Sequence, residues 1–223
     1  MIKKTLLILA FPFKLLYYVV VTPFKIAGLV LKIIGLIIVD IIKRPAKKQT
    51  AKKAKATDLL EMGGLLFTNY KNEFETYYRL YLTDKNKFHT TYPIDLPDDR
   101  KELTPIEAFQ AFADDKQIAA HLDWRGEDDV YEIEEFIALQ IEKPPLWTNT
   151  IMLRTAVPIN RQRDGKFIVK LFQAIDKDLQ TINFRLLFLD MGWDAYVFLP
   201  ATAVVFDKVL EKAPNYFQRV EEL

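Results

Sequence analysis

Residues 5–42 form one long apolar tract that lysines interrupt at regular intervals. Lys3, Lys14, Lys25 and Lys32 are 11, 11 and 7 residues apart, and at about 100° per residue these steps return to one side of a helix. The triplet Pro-Phe-Lys at Pro12–Lys14 recurs at Pro23–Lys25, which makes the pattern a short internal repeat. The spacing predicts a long helix with a lysine stripe on an otherwise apolar cylinder. Such a helix would run about 57 Å, nearly twice a bilayer's hydrocarbon thickness of about 30 Å. Three arrangements remain open. The helix lies in the interface with its lysines snorkelling to headgroups, or it spans steeply tilted or broken with Pro23 marking a kink, or the segment makes a re-entrant hairpin or an oligomeric assembly. Lys14, Tyr17, Tyr18, Lys25, Lys32, Lys43 and Arg44 are the candidate membrane-contacting residues. Lys3, Lys4 and Thr5–Phe13 imitate the start of a secretory signal, but no small-x-small cleavage site follows.

From Thr57 the periodicity changes. Leu59, Leu60, Met62, Leu65 and Leu66, then Phe74, Tyr77, Tyr78 and Tyr81, predict one helix interrupted or bent after Gly63–Gly64. Residues 83–103 are polar and proline-containing and read as a loop. Thr104-Pro105-Ile106-Glu107 is a capping box with proline at the first helical position, opening a helix to about Ala113. Ile118–Trp124 reads as a strand, Arg125–Asp129 as a turn, and Ile133, Phe136, Ile137 and Ile141 as one face of a helix ended by Pro144 and Pro145. Residues 148–157 read as another strand. Asp164-Gly165 opens a helix with Phe167, Ile168, Leu171, Phe172 and Ile175 on one face. Phe184–Leu189, a turn at Asp190–Asp194 and Ala195–Leu199 form a hairpin that feeds a helix from Ala201 to Lys212.

The expected class is α+β: a small, mainly antiparallel sheet covered by helices, preceded by the long apolar N-terminal helix. Residues 1–43 are the membrane-associated segment, 44–56 a basic juxtamembrane linker and 57–223 an acidic soluble domain.

Charge sharpens that division. Residues 1–55 hold twelve Lys/Arg against Asp40 alone, for a net +11, whereas 56–223 carry a net −10. A basic segment beside an apolar run points to anionic membrane lipid, with the domain held on the inner face of a bacterial cytoplasmic membrane. The acidic domain would repel phosphate, which disfavours nucleic acid. There is no cysteine and no serine, and His89 and His121 are the only histidines. Thiol and serine nucleophiles are therefore excluded, as is a three-histidine metal site within one chain. No glycine-rich phosphate loop is present. No catalytic, cofactor-binding or metal-binding residue is assigned, and the oligomeric state is left open.

The candidate partner-binding residues are Asp123, Trp124, Glu127 and Asp128 at one turn and Asp190, Trp193 and Asp194 at another. Their plainer roles are structural. Asp128 or Asp129 can cap the following helix, Asp190 and Gly192 can make a turn, and both tryptophans can pack inward. His121 and Asp123 share a strand face and read as a structural pair.

The segment His121-Leu122-Asp123-Trp124-Arg125-Gly126-Glu127-Asp128-Asp129 with Glu132-Ile133, and the later Leu189-Asp190-Met191-Gly192-Trp193-Asp194-Ala195-Tyr196, resemble a bacterial domain-of-unknown-function family, number six-six-three-zero. The resemblance covers about 57–213 and excludes the N-terminal segment. It implies a fold and no reaction.

The function expected from all this is a membrane-tethered cytosolic protein-binding module, of the immunity or adaptor kind, with a protein partner. Two alternatives stand beside it. One is a carboxylate-dependent enzyme or cation-binding domain if the acidic turns converge, and the other is a membrane-active oligomer built on the lysine-striped helix.

Overall fold

Phe184–Leu189 (β2) and Ala195–Thr202 (β3) pair antiparallel, with Phe188 opposite Phe198 and Leu189 opposite Val197. Ala120–Asp123 (β1) joins the free side of β3, and the two-residue strand Phe217–Gln218 (β4) joins β2, so the strand order is β1-β3-β2-β4. The computed structural model describes residues 55–94 and 102–223. The predicted N-terminal helix and its lysine stripe, and most of the basic linker, lie outside the described residues. Among those described, no helix is long and apolar enough to cross a membrane.

The hairpin is buried on both faces, as its nearly unbroken apolar run requires. Leu187 and Leu189 of β2 and Val197, Leu199 and Ala201 of β3 point into one core, while Leu186, Phe188 and Phe198 point into the other. The first core is roofed by Ala56–Leu66 (α1), Lys71–Thr83 (α2), Lys85–Thr91 (α3), Pro105–Asp115 (α4) and Ala203–Lys212 (α8). The second is roofed by Glu132–Gln140 (α5) and Gly165–Gln180 (α7), with Thr148–Ala156 (α6) packed against α7. The class is α+β, with four antiparallel strands and eight α-helices among the described residues.

Local signals set several boundaries. Thr104 accepts from the Glu107 amide at 3.3 Å and Glu107 accepts from the Thr104 amide at 2.8 Å, completing the capping box. Asp164 caps α7 by accepting from the Lys166 amide at 2.9 Å. The first helix runs through its glycine pair and breaks at Phe67, three residues later than the spacing suggests. Gly63 serves close packing instead of bending, because a Cβ there would fall inside the Phe74 ring.

Two predicted elements are corrected. The loop expected over 83–103 contains α3, which Asp84 caps through the Lys87 amide at 3.0 Å and which Phe88 anchors against Tyr77 and Tyr81. The strand expected over 148–157 is the helix α6. Its inward positions are the polar residues Thr150 and Arg154, and its outward positions include Ile151 and Met152. That inverted arrangement hides the helical period from any reading that sends apolar residues inward.

Candidate functional site

The β1–β3 register places Asp123 opposite Ala195, so Trp124 and Arg125 leave the sheet at the same end as Trp193 and Asp194. The two turns singled out from sequence therefore sit side by side. The β2–β3 turn is tied down by the Asp190 amide donating to Tyr216 O at 2.9 Å, and Gly192 takes φ +69° to close it.

Neither tryptophan is buried as packing alone would suggest. Trp124 is 51% exposed and Trp193 46% exposed. Trp124 lies across the start of α7, where a Cβ on Gly165 would stand 3.5 Å from its ring. The Arg125 guanidinium lies over the same ring, 5.9 Å from its centroid.

The acids around these rings divide into surface groups and internal structure. Asp123 accepts from the Arg125 amide at 2.8 Å and from its guanidinium Nε at 3.3 Å, and these bonds hold its carboxyl below the usual range. Its expected partner His121 bonds instead to Asp114, with Nε2 at 2.7 Å from Oδ1. Asp128 is well exposed and pairs with Arg163 at 2.6 Å. Asp194 is exposed, and Asp190 is half-buried.

Glu127 is corrected from surface to interior. It is 5% exposed, accepts from Arg154 Nη2 at 2.8 Å and from the Ile133 amide at 3.2 Å. That last bond caps α5, so the cap comes from Glu127 and not from Asp128 or Asp129. The Glu127 carboxyl is raised above its ordinary value, chiefly by burial, with the Arg154 charge acting against that rise. The capping residue position itself falls to Tyr131, in a left-handed conformation at φ +78°, with its ring 4.9 Å from the Arg154 guanidinium carbon.

Arg154 organises this interior. Besides Glu127 it binds Glu134 through two bonds of 2.7 Å, and Gln162 closes the cluster by donating to Arg154 O at 2.9 Å and to Val157 O at 2.8 Å. Sequence reasoning missed Arg154, Glu134 and Gln162. The available signal was a lone charge in the otherwise uncharged stretch 144–160, which has to find an acid once its segment packs.

The turns are adjacent, but their carboxylates do not form a cation site. Among the described residues no three His, Asp or Glu side chains gather closely enough to hold a metal ion. A separate cavity of about 230 Å³ lies on the other side of the sheet, lined by Tyr77, Tyr92 and Phe112 with Glu73 and Asp115. Its two acids are already paired with Lys116.

Residues 58–222 match the sequence model of the family described as Domain of unknown function (DUF6630), and the chain belongs to that family. The apolar N-terminal segment lies outside the match. No curated protein and no solved structure matches the chain.

Proposed function

We propose that the chain is a membrane-tethered cytosolic protein-binding module, using the end of the sheet where Trp124 and Trp193 emerge. The observation that carries this reading is the pair of half-exposed indoles, 51% and 46% accessible, placed together by the β1–β3 register and flanked by Asp123, Asp128 and Asp194. Tryptophan is the residue most enriched at binding hot spots, because it buries a large rigid surface at little entropic cost. The surrounding carboxylates favour a basic partner and would speed its encounter, as in an immunity protein facing a toxin. The apolar, lysine-bearing residues 5–42 and the basic run after Asp40 supply the tether to anionic lipid on the cytoplasmic side. Glu127 supports the turn from beneath and does not face the partner.

The test is a pull-down from membranes with the detergent-solubilised full chain. A specific basic protein should be recovered by the wild type and reduced roughly tenfold or more by Trp124→Ala with Trp193→Ala. Recovery that is equal for the two forms, or no specific protein at all, refutes the reading. Carbonate extraction with protease protection of a C-terminal tag tests the tether separately: release by carbonate, or a tag open to protease added outside intact cells, counts against it.

A further inference from the structure

The outer surface of the α6–α7 pair combines two features that an acidic soluble domain does not need. The first is apolar exposure. Ile151 and Met152 on α6 are 57% and 67% exposed, Leu146 just before the helix is 90% exposed, and Ile159 just after it is 67% exposed. The helix can present these residues because its polar positions are turned inward, where Asp178 accepts from Thr150 and Glu134 from Arg154. Four internal hydrogen bonds to Asp178 and the Arg154 cluster thus hold an apolar face in water.

The second feature is charge. Helix α7 buries Phe167, Ile168, Leu171, Phe172 and Ile175, which leaves Lys166, Lys170 and Lys177 along its opposite, exposed stripe. Lys143 and Arg161 are exposed at the two ends of α6. Of the charged residues from Lys143 to Lys166, four basic ones (Lys143, Arg161, Arg163 and Lys166) and one acid (Asp164) are exposed, inside a domain whose net charge is −10.

We infer that this face, with Met152 and Ile151 at its apolar centre and the α7 lysines beside it, docks the domain onto an anionic bilayer. Apolar side chains flanked by lysines match a headgroup region, where the first enter the acyl boundary and the second meet lipid phosphates. A second copy of the chain is a poorer occupant, since a two-fold contact would bring this basic face against itself. Reach is no obstacle: any extended stretch of thirteen residues, the length of the linker 44–56, spans up to about 45 Å, against a radius of gyration of about 15 Å for a domain of this length. The inference rests on the tether proposed above and adds that the domain lies down on the membrane through one defined face.

The chain has no cysteine, so a single one introduced by Met152→Cys takes an environment-sensitive fluorophore uniquely. The full chain is reconstituted into vesicles of equal parts phosphatidylcholine and phosphatidylglycerol, or of phosphatidylcholine alone, and challenged with an aqueous quencher. The label should be protected several-fold in the anionic vesicles relative to the neutral ones, and Lys170→Glu with Lys177→Glu should abolish the difference. A label at Val204→Cys, exposed on α8 beyond the other face of the sheet, should be quenched equally in both. A chain that floats with vesicles while its Met152→Cys label stays fully accessible overturns the docking face and leaves the tether intact. Failure to float overturns both. Protection that arises only when cytosolic protein is added assigns the face to a protein and overturns the lipid reading.

Discussion

Arg154 meets Glu134 through two parallel hydrogen bonds, Nε to Oε1 and Nη2 to Oε2, each 2.7 Å long between side chains that are both buried. The same Nη2 also reaches Glu127 at 2.8 Å, so one guanidinium serves two carboxylates and joins α6 to α5 and to the turn that carries Trp124. The docking face of α6 and the aromatic end of the sheet therefore share one internal support.

Removing the cation should be far worse than removing the whole cluster. Arg154→Ala leaves two buried carboxylates uncompensated and is expected to cost about 3–5 kcal/mol in urea unfolding. The triple change Glu127→Leu, Glu134→Met, Arg154→Met should recover most of that loss. A triple variant as unstable as the single one would show that packing, and not charge compensation, is what Arg154 contributes.

Glu127 predicts a particular pH dependence. Its folded-state value is raised above 4.5, so the folded chain holds this proton more tightly than the unfolded chain. The corresponding stabilisation is complete below 4.5 and is lost as pH rises through the raised value. Glu127→Gln keeps an oxygen for the Ile133 amide and Arg154, and it should flatten that falling segment in denaturation midpoints measured stepwise above pH 4.5. An unchanged slope would mean that another group produces it.

Asp178 should govern α6 locally. Its carboxylate accepts from the Asn149 amide and side chain at 2.9 and 2.7 Å and from the Thr150 amide and hydroxyl at 2.9 and 2.7 Å. Asp178→Ala should cost about 2–3 kcal/mol and Asp178→Asn less. Hydrogen exchange should accelerate over 148–156 before it does in β2 and β3.

Two glycines at turns separate conformational strain from steric clash. Gly192, at φ +69°, has open space where a Cβ would stand, so Gly192→Ala should cost only about 1–2 kcal/mol. Gly126, at φ +109°, would place a Cβ 2.7 Å from Ile168, so Gly126→Ala should cost clearly more. Equal thermal shifts for the two variants would contradict this ordering.

The tyrosines of α2 predict alkaline lability. Tyr77, Tyr78 and Tyr81 donate to Ala108 O, Pro105 O and Leu103 O at 3.0, 3.0 and 2.9 Å, securing α2 to α4 and the residues before it. Burial pushes all three phenols up from 10.0, Tyr81 to about 12 and the other two further. The folded chain keeps these protons longer, so stability is full below pH 10.0 and falls as pH rises through the raised values. The share of phenolate absorbance that Tyr77→Phe, Tyr78→Phe and Tyr81→Phe remove should appear together with unfolding, and that share forming ahead of any loss of structure would refute the coupling.

The elements legible in sequence are those whose signals are local. The capping box at Thr104 and Glu107, the Asp164 cap and the β2–β3 hairpin each depend on residues within a few positions of one another, and each forms as its spacing implies. The adjacency of the two acidic turns is legible only as a condition, because it requires knowing that β1 pairs with β3.

By itself the sequence determined the α+β class, the apolar hairpin and the charge division at the linker, since periodicity and composition act along the chain. Only the tertiary structure decided that 148–156 is a helix, that Glu127 turns inward and that both tryptophans face solvent. Thr150 finds its acceptor 28 residues away at Asp178, and Arg154 finds Glu127 at a separation of 27. Hydrogen bonds across such distances reverse a helix's apparent polarity, and no pattern within the segment records them.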